Sequence, residues 1–245
     1  MEKGDDVRKK RLMAAAGAMI LAAAMASACV VINSSLMTFD SSDVFAGELH
    51  NYTAVDILGH DVEVAFKNEN GEVIETQVVH GCLRSLQRGR SDFFEATSSS
   101  DAAVVAAATG KISYNSSFKV GTVAEGNLSI TNVDPERTGS SLVVTGTLRN
   151  IGATLESPKA CVVVRDPEDQ VLRVGSDTVA DLAHNQQATF SVTITVPSDD
   201  TLADHVDVYA DGLEDGTPIV PSSSTSHSVV VVATSTPTAT ATATP

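Results

Sequence analysis

The second half of this chain repeats the first. Gly47-Glu48-Leu49-His50-Asn51 matches Gly146-Thr147-Leu148-Arg149-Asn150 at an offset of 99. Val64-Ala65-Phe66-Lys67-Asn68 matches Val162-Val163-Val164-Arg165-Asp166 at 98, and Val73-Ile74 matches Val171-Leu172 at the same offset. Leu86 with Phe94 answers Leu182 with Phe190 at 96, and Tyr114 answers Tyr209 at 95. The order of anchors never changes, and the drift in offset is what small insertions in surface turns produce. A duplicated unit is therefore expected, with repeats over residues 38–122 and 123–221. Each repeat is long enough for one two-sheet core.

The segments between the turns read as strands. Phe190-Ser191-Val192-Thr193-Ile194-Thr195-Val196 alternates strictly, which puts Phe190, Val192, Ile194 and Val196 on one face. Val62–Phe66, Leu142–Leu148 and Cys161–Val164 are similarly rich in Val, Leu and Phe. Asn70-Gly71, Asp134-Pro135, Asp166-Pro167, Asp211-Gly212 and Asp215-Gly216 supply the turns. Short strands with frequent turns predict an all-β fold of antiparallel sandwiches. Gly47 and Gly146 are expected to mark bulges or close backbone approach.

The order G-x-L-x-N, then V-x-F-K-N with x-x-G-x-V, then L-x-x-G and a Phe, resembles the FxLYD domain. That resemblance implies two tandem immunoglobulin-like β-sandwiches of an extracytoplasmic surface protein, without assigned chemistry. Val64, Phe66, Lys67 and Asn68 stand where that family has Phe, Leu, Tyr and Asp. In the second unit Val162, Val164, Arg165 and Asp166 occupy those places, and Asp169 and Asn185 replace Gly71 and Gly89 of the first.

The N-terminus points to export. Lys3, Arg8, Lys9, Lys10 and Arg11 precede an uncharged stretch from Leu12 to Ile32. As a helix, that stretch would cross roughly one hydrocarbon core of about 30 Å. The basic flank keeps its near end in the cytoplasm and places the rest outside. Three outcomes fit: an uncleaved single-pass anchor, cleavage after the small-x-small run Ala26-Ser27-Ala28, or a lipoprotein with Cys29 as the lipidated residue. The expected segments are thus 1–37, a basic end with a hydrophobic helix; the two repeats; and 222–245, a disordered tail of Ser, Thr, Pro and Ala. The expected location is the cell surface, with the membrane as one partner.

The formal charge of −15 becomes −17 once the first eleven residues, with +2, are set aside. Nucleic acid is excluded as a partner, because its recognition needs Lys and Arg against phosphates and aromatics for stacking. Aromatics are 4% of the chain and Trp is absent. No G-x-S-x-G, H-E-x-x-H, C-x-x-C or G-x-G-x-x-G occurs, so neither a catalytic constellation nor a cofactor is expected. His80 and Cys82 share a strand face and imitate a Cys–His pair, but no third residue orients them.

Cys82 and Cys161 sit at non-equivalent places in the two units, which excludes the inter-sheet bridge of antibody domains. Two buried thiols are the favoured reading, with a disulfide between the units as the alternative. Asp166, Glu168 and Asp169 crowd one turn and are the best calcium candidates, although their spacing fits no calcium loop; no metal is expected. Asn68, Glu69 and Glu72, and Asp211, Glu214 and Asp215, form similar turns. Sequons at Asn33, Asn51, Asn115 and Asn127 are candidate glycosylation sites. The expected function is non-enzymatic structural display or protein–protein interaction. The alternative is a carbohydrate- or cell-wall-binding module, for which Tyr52, Phe93 and Phe118 are the available exposed aromatics.

Overall fold

Alternating apolar residues need a second sheet to cover them, and each half supplies its own. The computed structural model describes residues 29–39, 42–100, 104–197, 202–224 and 226–231, without the side chains of 39 and 115–117. Among these residues every regular element is a strand, and no sheet closes on itself. Residues 12–28 of the expected hydrophobic helix lie outside them.

The first half runs through β1 (Cys29–Phe39), β2 (Ser42–Asn51), β3 (Asp56–Lys67), β4 (Val73–His80), β5 (Ser85–Leu86), β6 (Ser91–Thr97) and β7 (Ala107–Gly121). The second runs through β8 (Leu128–Thr138), β9 (Ser141–Asn150), β10 (Glu156–Arg165), β11 (Val171–Thr178), β12 (Gln187–Thr195) and β13 (His205–Glu214). Four two-residue strands follow: β14 (Thr217–Pro218), β15 (Ser222–Ser223), β16 (His227–Ser228) and β17 (Val230–Val231). β2 pairs antiparallel with β1 and β6, as β9 does with β8 and β12. β3 pairs antiparallel with β4 and β7, as β10 does with β11 and β13. The strand pattern of one half is repeated in the other.

The glycine, valine, leucine and phenylalanine anchors of the sequence repeat occupy equivalent places, but Tyr114 and Tyr209 do not: Tyr114 pairs with His60 and packs on the first-half core, whereas Tyr209 pairs with Cys161 and packs on the cluster between the halves. Gly47 lies opposite Phe94 and Gly146 opposite Phe190 in the strand register. A Cβ on Gly146 would come within 2.4 Å of the Phe190 ring, and one on Gly47 within 3.0 Å of Phe94, so these glycines make room for a core aromatic. Gly71 and its counterpart Asp169 both have a left-handed backbone, with φ of 78° and 67°. The Asp at 169 therefore preserves the turn conformation that glycine serves in the first half.

Asn51 and Asn150 are both fully buried at strand ends. Asn51 Nδ2 donates to the carbonyls of Val55 and Leu86, each at 2.9 Å. Asn150 Nδ2 donates to those of Ala153, at 2.5 Å, and Leu182, at 2.7 Å. Each asparagine thus ties the end of its strand to the repeat's leucine, in β5 for Leu86. Asn51→Ala or Asn150→Ala leaves two buried carbonyls without that donor, and each is expected to lower unfolding stability by about 1–3 kcal/mol. Denaturant midpoints at unchanged slope would measure this. A shift under about 0.5 kcal/mol at both sites would mean the carbonyls are satisfied otherwise.

The layers stack in an order that periodicity did not predict. One core, with Phe45, Leu49, Val62, Val64, Phe66, Leu86 and Phe94, lies between the β1-β2-β6 and β4-β3-β7 layers. A second, with Leu142, Leu148, Val162, Val164, Phe190, Val206 and Val208, lies between β8-β9-β12 and β11-β10-β13. A third, smaller cluster joins the inner layers face to face: Ala46, Cys82, Leu83 and Phe93 meet Cys161, Val163 and Val171. The two inner layers are also continuous through β1 and β11, with Ser34 paired to Val171. Burial on both faces explains the unbroken apolar run Cys161–Val164 and the doubled Phe93-Phe94.

Three expectations change here. β1 starts at Cys29, so the first half begins nine residues before the expected boundary at 38, and residues 29–32 of the apolar stretch belong to a strand. At the other end, residues 222–224 and 226–231 are not disordered tail: β15 and β16 pair with β13, and β17 pairs with β8. Backbone pairing does not require apolar side chains, and Ser222 Oγ adds a bond to the Leu128 carbonyl. Finally, Cys82 and Cys161 are not two thiols; they form a disulfide between the halves, with Cα atoms 5.9 Å apart. Their non-equivalence in the repeats is what a bridge between repeats requires.

Candidate functional site

The segment Gly81–Arg90 runs along the junction of the halves and has a cavity on either side, with Leu83 in the wall of both. Around it the two halves exchange charge. Arg84 Nη1 meets Asp211 Oδ1 at 2.7 Å, its backbone N–H donates to Asp211 Oδ2 at 2.6 Å, and Nη2 donates to the Ser157 carbonyl. Asp211 is fully buried; desolvation pushes its pKa up, against the opposing pull of Arg84 and Lys159.

Arg165, also buried, reaches Asp207 at 2.8 Å and Glu48 of the other half at 3.2 Å, with its guanidinium carbon 5.5 Å from the Phe93 ring centre. Burial works against its charge, but Glu48, Asp207 and Asp169 outweigh that and hold its pKa above the ordinary value. Arg173 grips Glu95 through two nitrogens, at 2.8 and 2.9 Å. Phe93 stacks on Tyr209 across the junction at 4.6 Å. Burial, first, and the nearby Asp207 push the Tyr209 hydroxyl up to about 12.

The larger cavity, about 690 Å³, has His60 and His80 in its wall with Lys119 and Lys159. His60 Nε2 bonds Asp92 Oδ2 at 2.7 Å, out of contact with solvent, beneath Gly81. Asp92 Oδ1 accepts the N–H groups of Leu83 and Phe93, both at 2.7 Å. The pair pins the start of the Gly81–Arg90 segment to β6. The exposed His80 bonds the buried Asp61 at 2.7 Å. Cys82 is bonded to Cys161, so it supplies no thiolate to His80.

The other cavity, about 560 Å³, is walled by residues from both halves, among them Glu48, His50, Gln87, Arg88, Arg90 and Tyr209. Tyr52, 62% exposed, stands at its edge with its ring 4.3 Å from that of His50. His50 Nδ1 is held by Ser91 Oγ at 2.8 Å.

No family model matches the sequence. No curated protein matches it either. Solved structures overlap it loosely: Bacteroides uniformis β-glucuronidase 2, as a calcium-binding mutant, has a TM-score of 0.31 at 10% identity and covers 79% of this chain and 28% of its own. A Ruminococcus gnavus β-glucuronidase scores 0.27 at 10% identity, over 79% of this chain and 38% of its own. The chicken interferon gamma receptor alpha chain scores 0.27 at 15% identity, over 81% of this chain and 97% of its own. This chain thus spans well under half of the glucuronidases it overlaps. Similarities at these scores carry no argument about activity.

The residues singled out in the sequence fall in scattered places. In the calcium candidate turn, Asp166 Oδ1 accepts the N–H groups of Glu168 and Gln170. Asp169 lies 3.5 Å from Arg165 and 3.6 Å from His205. Among the described residues no three His, Cys, Asp or Glu groups converge as a metal would require. Asn51 is fully buried with its amide engaged, so this fold has no room for a glycan there, which corrects the reading of its sequon. Asn33 is half-buried and donates to Glu48 at 3.2 Å, Asn127 is half-buried, and the side chain of Asn115 lies outside the described residues. Cys29 is buried at the start of β1, where desolvation pushes its thiol up to about 11.

Of the three aromatics reserved for sugar binding, only Tyr52 is exposed. Phe93 is buried, and Phe118 is half-buried against Tyr114 at 4.3 Å. They form no flat platform. The cavity residues Gln87, Arg88 and Arg90 went unnoticed in the sequence, although three of the eleven basic residues after position 11 fall within 84–90. That local density in an acidic chain was the available signal.

Proposed function

We propose that the chain is a non-enzymatic cell-surface protein whose two degenerate FxLYD-type, immunoglobulin-like sandwiches stand outside the cytoplasm and present a rigid body to a protein partner. The observation that carries this reading is the clamp between the halves: a disulfide, three arginine–carboxylate contacts and an apolar cluster on one junction. A disulfide suits an oxidising compartment, in keeping with the basic-then-apolar N-terminus. The burial of Cys29 favours the single-pass anchor over lipidation, which needs that residue free at a mature N-terminus. A membrane-impermeant amine reagent applied to intact cells should label exposed Lys111 and Lys119, and crosslinking there should capture the partner. Labelling seen only after lysis would overturn the external location.

A second reading, binding of a carbohydrate, is favoured by one observation. The cavity beside Tyr52 combines an exposed aromatic ring with polar walls from both halves.

A further inference from the structure

The cavity under Tyr52 has two features that the packing of the halves does not explain. The first is unused hydrogen-bonding capacity. Ser85 and Gln87 both line it, are 1% and 6% exposed, and have no partner for Ser85 Oγ or Gln87 Nε2 among the described residues. Buried polar groups in native folds are nearly always satisfied, so two orphans on one wall mark a place where a partner is supplied from elsewhere. The second is unused positive charge. Arg84, Arg165 and Arg173 each hold a carboxylate, but Arg88 and Arg90 form no ion pair among the described residues, despite the chain's acidity. Both line this cavity and both are exposed. The carboxylate in the wall, Glu48, is already paired with Arg165.

We infer that this cavity binds an acidic sugar, a ring carrying a carboxylate or a sulfate, with Arg88 and Arg90 on the anion and the ring against Tyr52. Guanidinium groups match the planar geometry of a carboxylate or sulfate edge. An exposed Tyr next to polar groups offers a ring face and hydroxyl partners together, the combination a sugar presents and a simple anion does not. The volume, about 560 Å³, lies within the roughly 300–1,000 Å³ of small-molecule sites. Its walls come from both halves, so the clamp described above also holds this site together. The inference rests on the carbohydrate reading and narrows it to charged rings.

The test uses the full-length chain and four probes: galacturonate, galactose 6-sulfate, galactose and N-acetylglutamate, titrated by calorimetry up to about 10 mM. At least one acidic sugar is expected to bind about tenfold or more tightly than galactose, and to weaken with added salt. Arg88→Gln/Arg90→Gln, at exposed positions, should remove the preference for the acidic ring, and Tyr52→Ala should weaken every sugar. If galacturonate binds and the sulfate does not, the anion is a carboxylate; the reverse assigns a sulfate. Equal binding of galactose and its acidic forms overturns the inference and leaves the carbohydrate reading standing. N-acetylglutamate binding as well as galacturonate overturns the sugar, and no binding by any sugar overturns both.

Discussion

Arg84→Ala is expected to destabilise the protein by about 3–5 kcal/mol, as removal of one partner of a buried ion pair does. The argument starts from Asp211. Its carboxylate has no exposed surface; the Arg84 N–H, the Arg84 guanidinium and, more distantly, Lys159 favour its charge, while Asp92 opposes it. Without the guanidinium, a charge remains inside the junction with the Arg84 N–H as its one hydrogen-bond donor. The pH dependence has a definite sign. Burial already holds the Asp211 pKa above its unfolded value, so the folded state binds the proton more tightly than the unfolded state. Losing Arg84 raises that pKa further. The deficit of the variant should therefore be largest near neutral pH and shrink as pH falls through the raised pKa, where the carboxyl becomes neutral. Arg84→Ala/Asp211→Asn should recover part of the loss at neutral pH. Urea midpoints across pH measure all three. A loss under about 1 kcal/mol at neutral pH, with no recovery in acid, would show that the junction does not depend on this pair.

How much of this could be read in advance depended on whether the signal was local or lay between the halves. The duplication was visible because core positions recur at fixed places. Gly47 and Gly146 lie opposite Phe94 and Phe190, and both Asn51 and Asn150 close their strands. Both asparagines end the matched motif, but Asn51 also begins a sequon, and the sequence does not choose between the two roles. A buried amide and an exposed one look alike without the carbonyls around them. The start of β1 has no signal of its own, because Cys29–Ile32 continues the apolar composition of the stretch before it. The face-to-face stacking had its signals in Cys161–Val164 and Phe93-Phe94, which are apolar on successive positions and so have to be covered on both faces. Those runs fit a strand buried on two sides, but they do not say which surface covers the second. The cavity depends on that stacking, since Tyr209 and Pro221 reach it from the second half. Its residues could not be brought together from periodicity alone.

The disulfide is the other element whose loss should be large. Cys82 and Cys161 are 79 residues apart, and the chain-entropy account gives about 4.5 kcal/mol for closing a loop of that length. Cys82→Ala/Cys161→Ala is therefore expected to lower unfolding stability by about 2–5 kcal/mol. The alanines also leave some empty volume beside Val163 and Phe93, so part of the loss belongs to packing. Reduction of the unmutated protein separates the two contributions, since it opens the loop while keeping both sulfurs in place. Cys161 is fully buried and Cys82 nearly so, which predicts slow reduction of the folded protein and rapid reduction once denaturant opens the junction. The order of unfolding should change as well. With the bond closed, the apolar cluster and the arginine pairs hold both halves in one transition. With it open, their association loses its covalent link while each half keeps its own core. Two resolved transitions under reducing conditions, against one under oxidising conditions, is the expected result. Identical denaturation curves in the two states would mean that the other contacts hold the halves together without it.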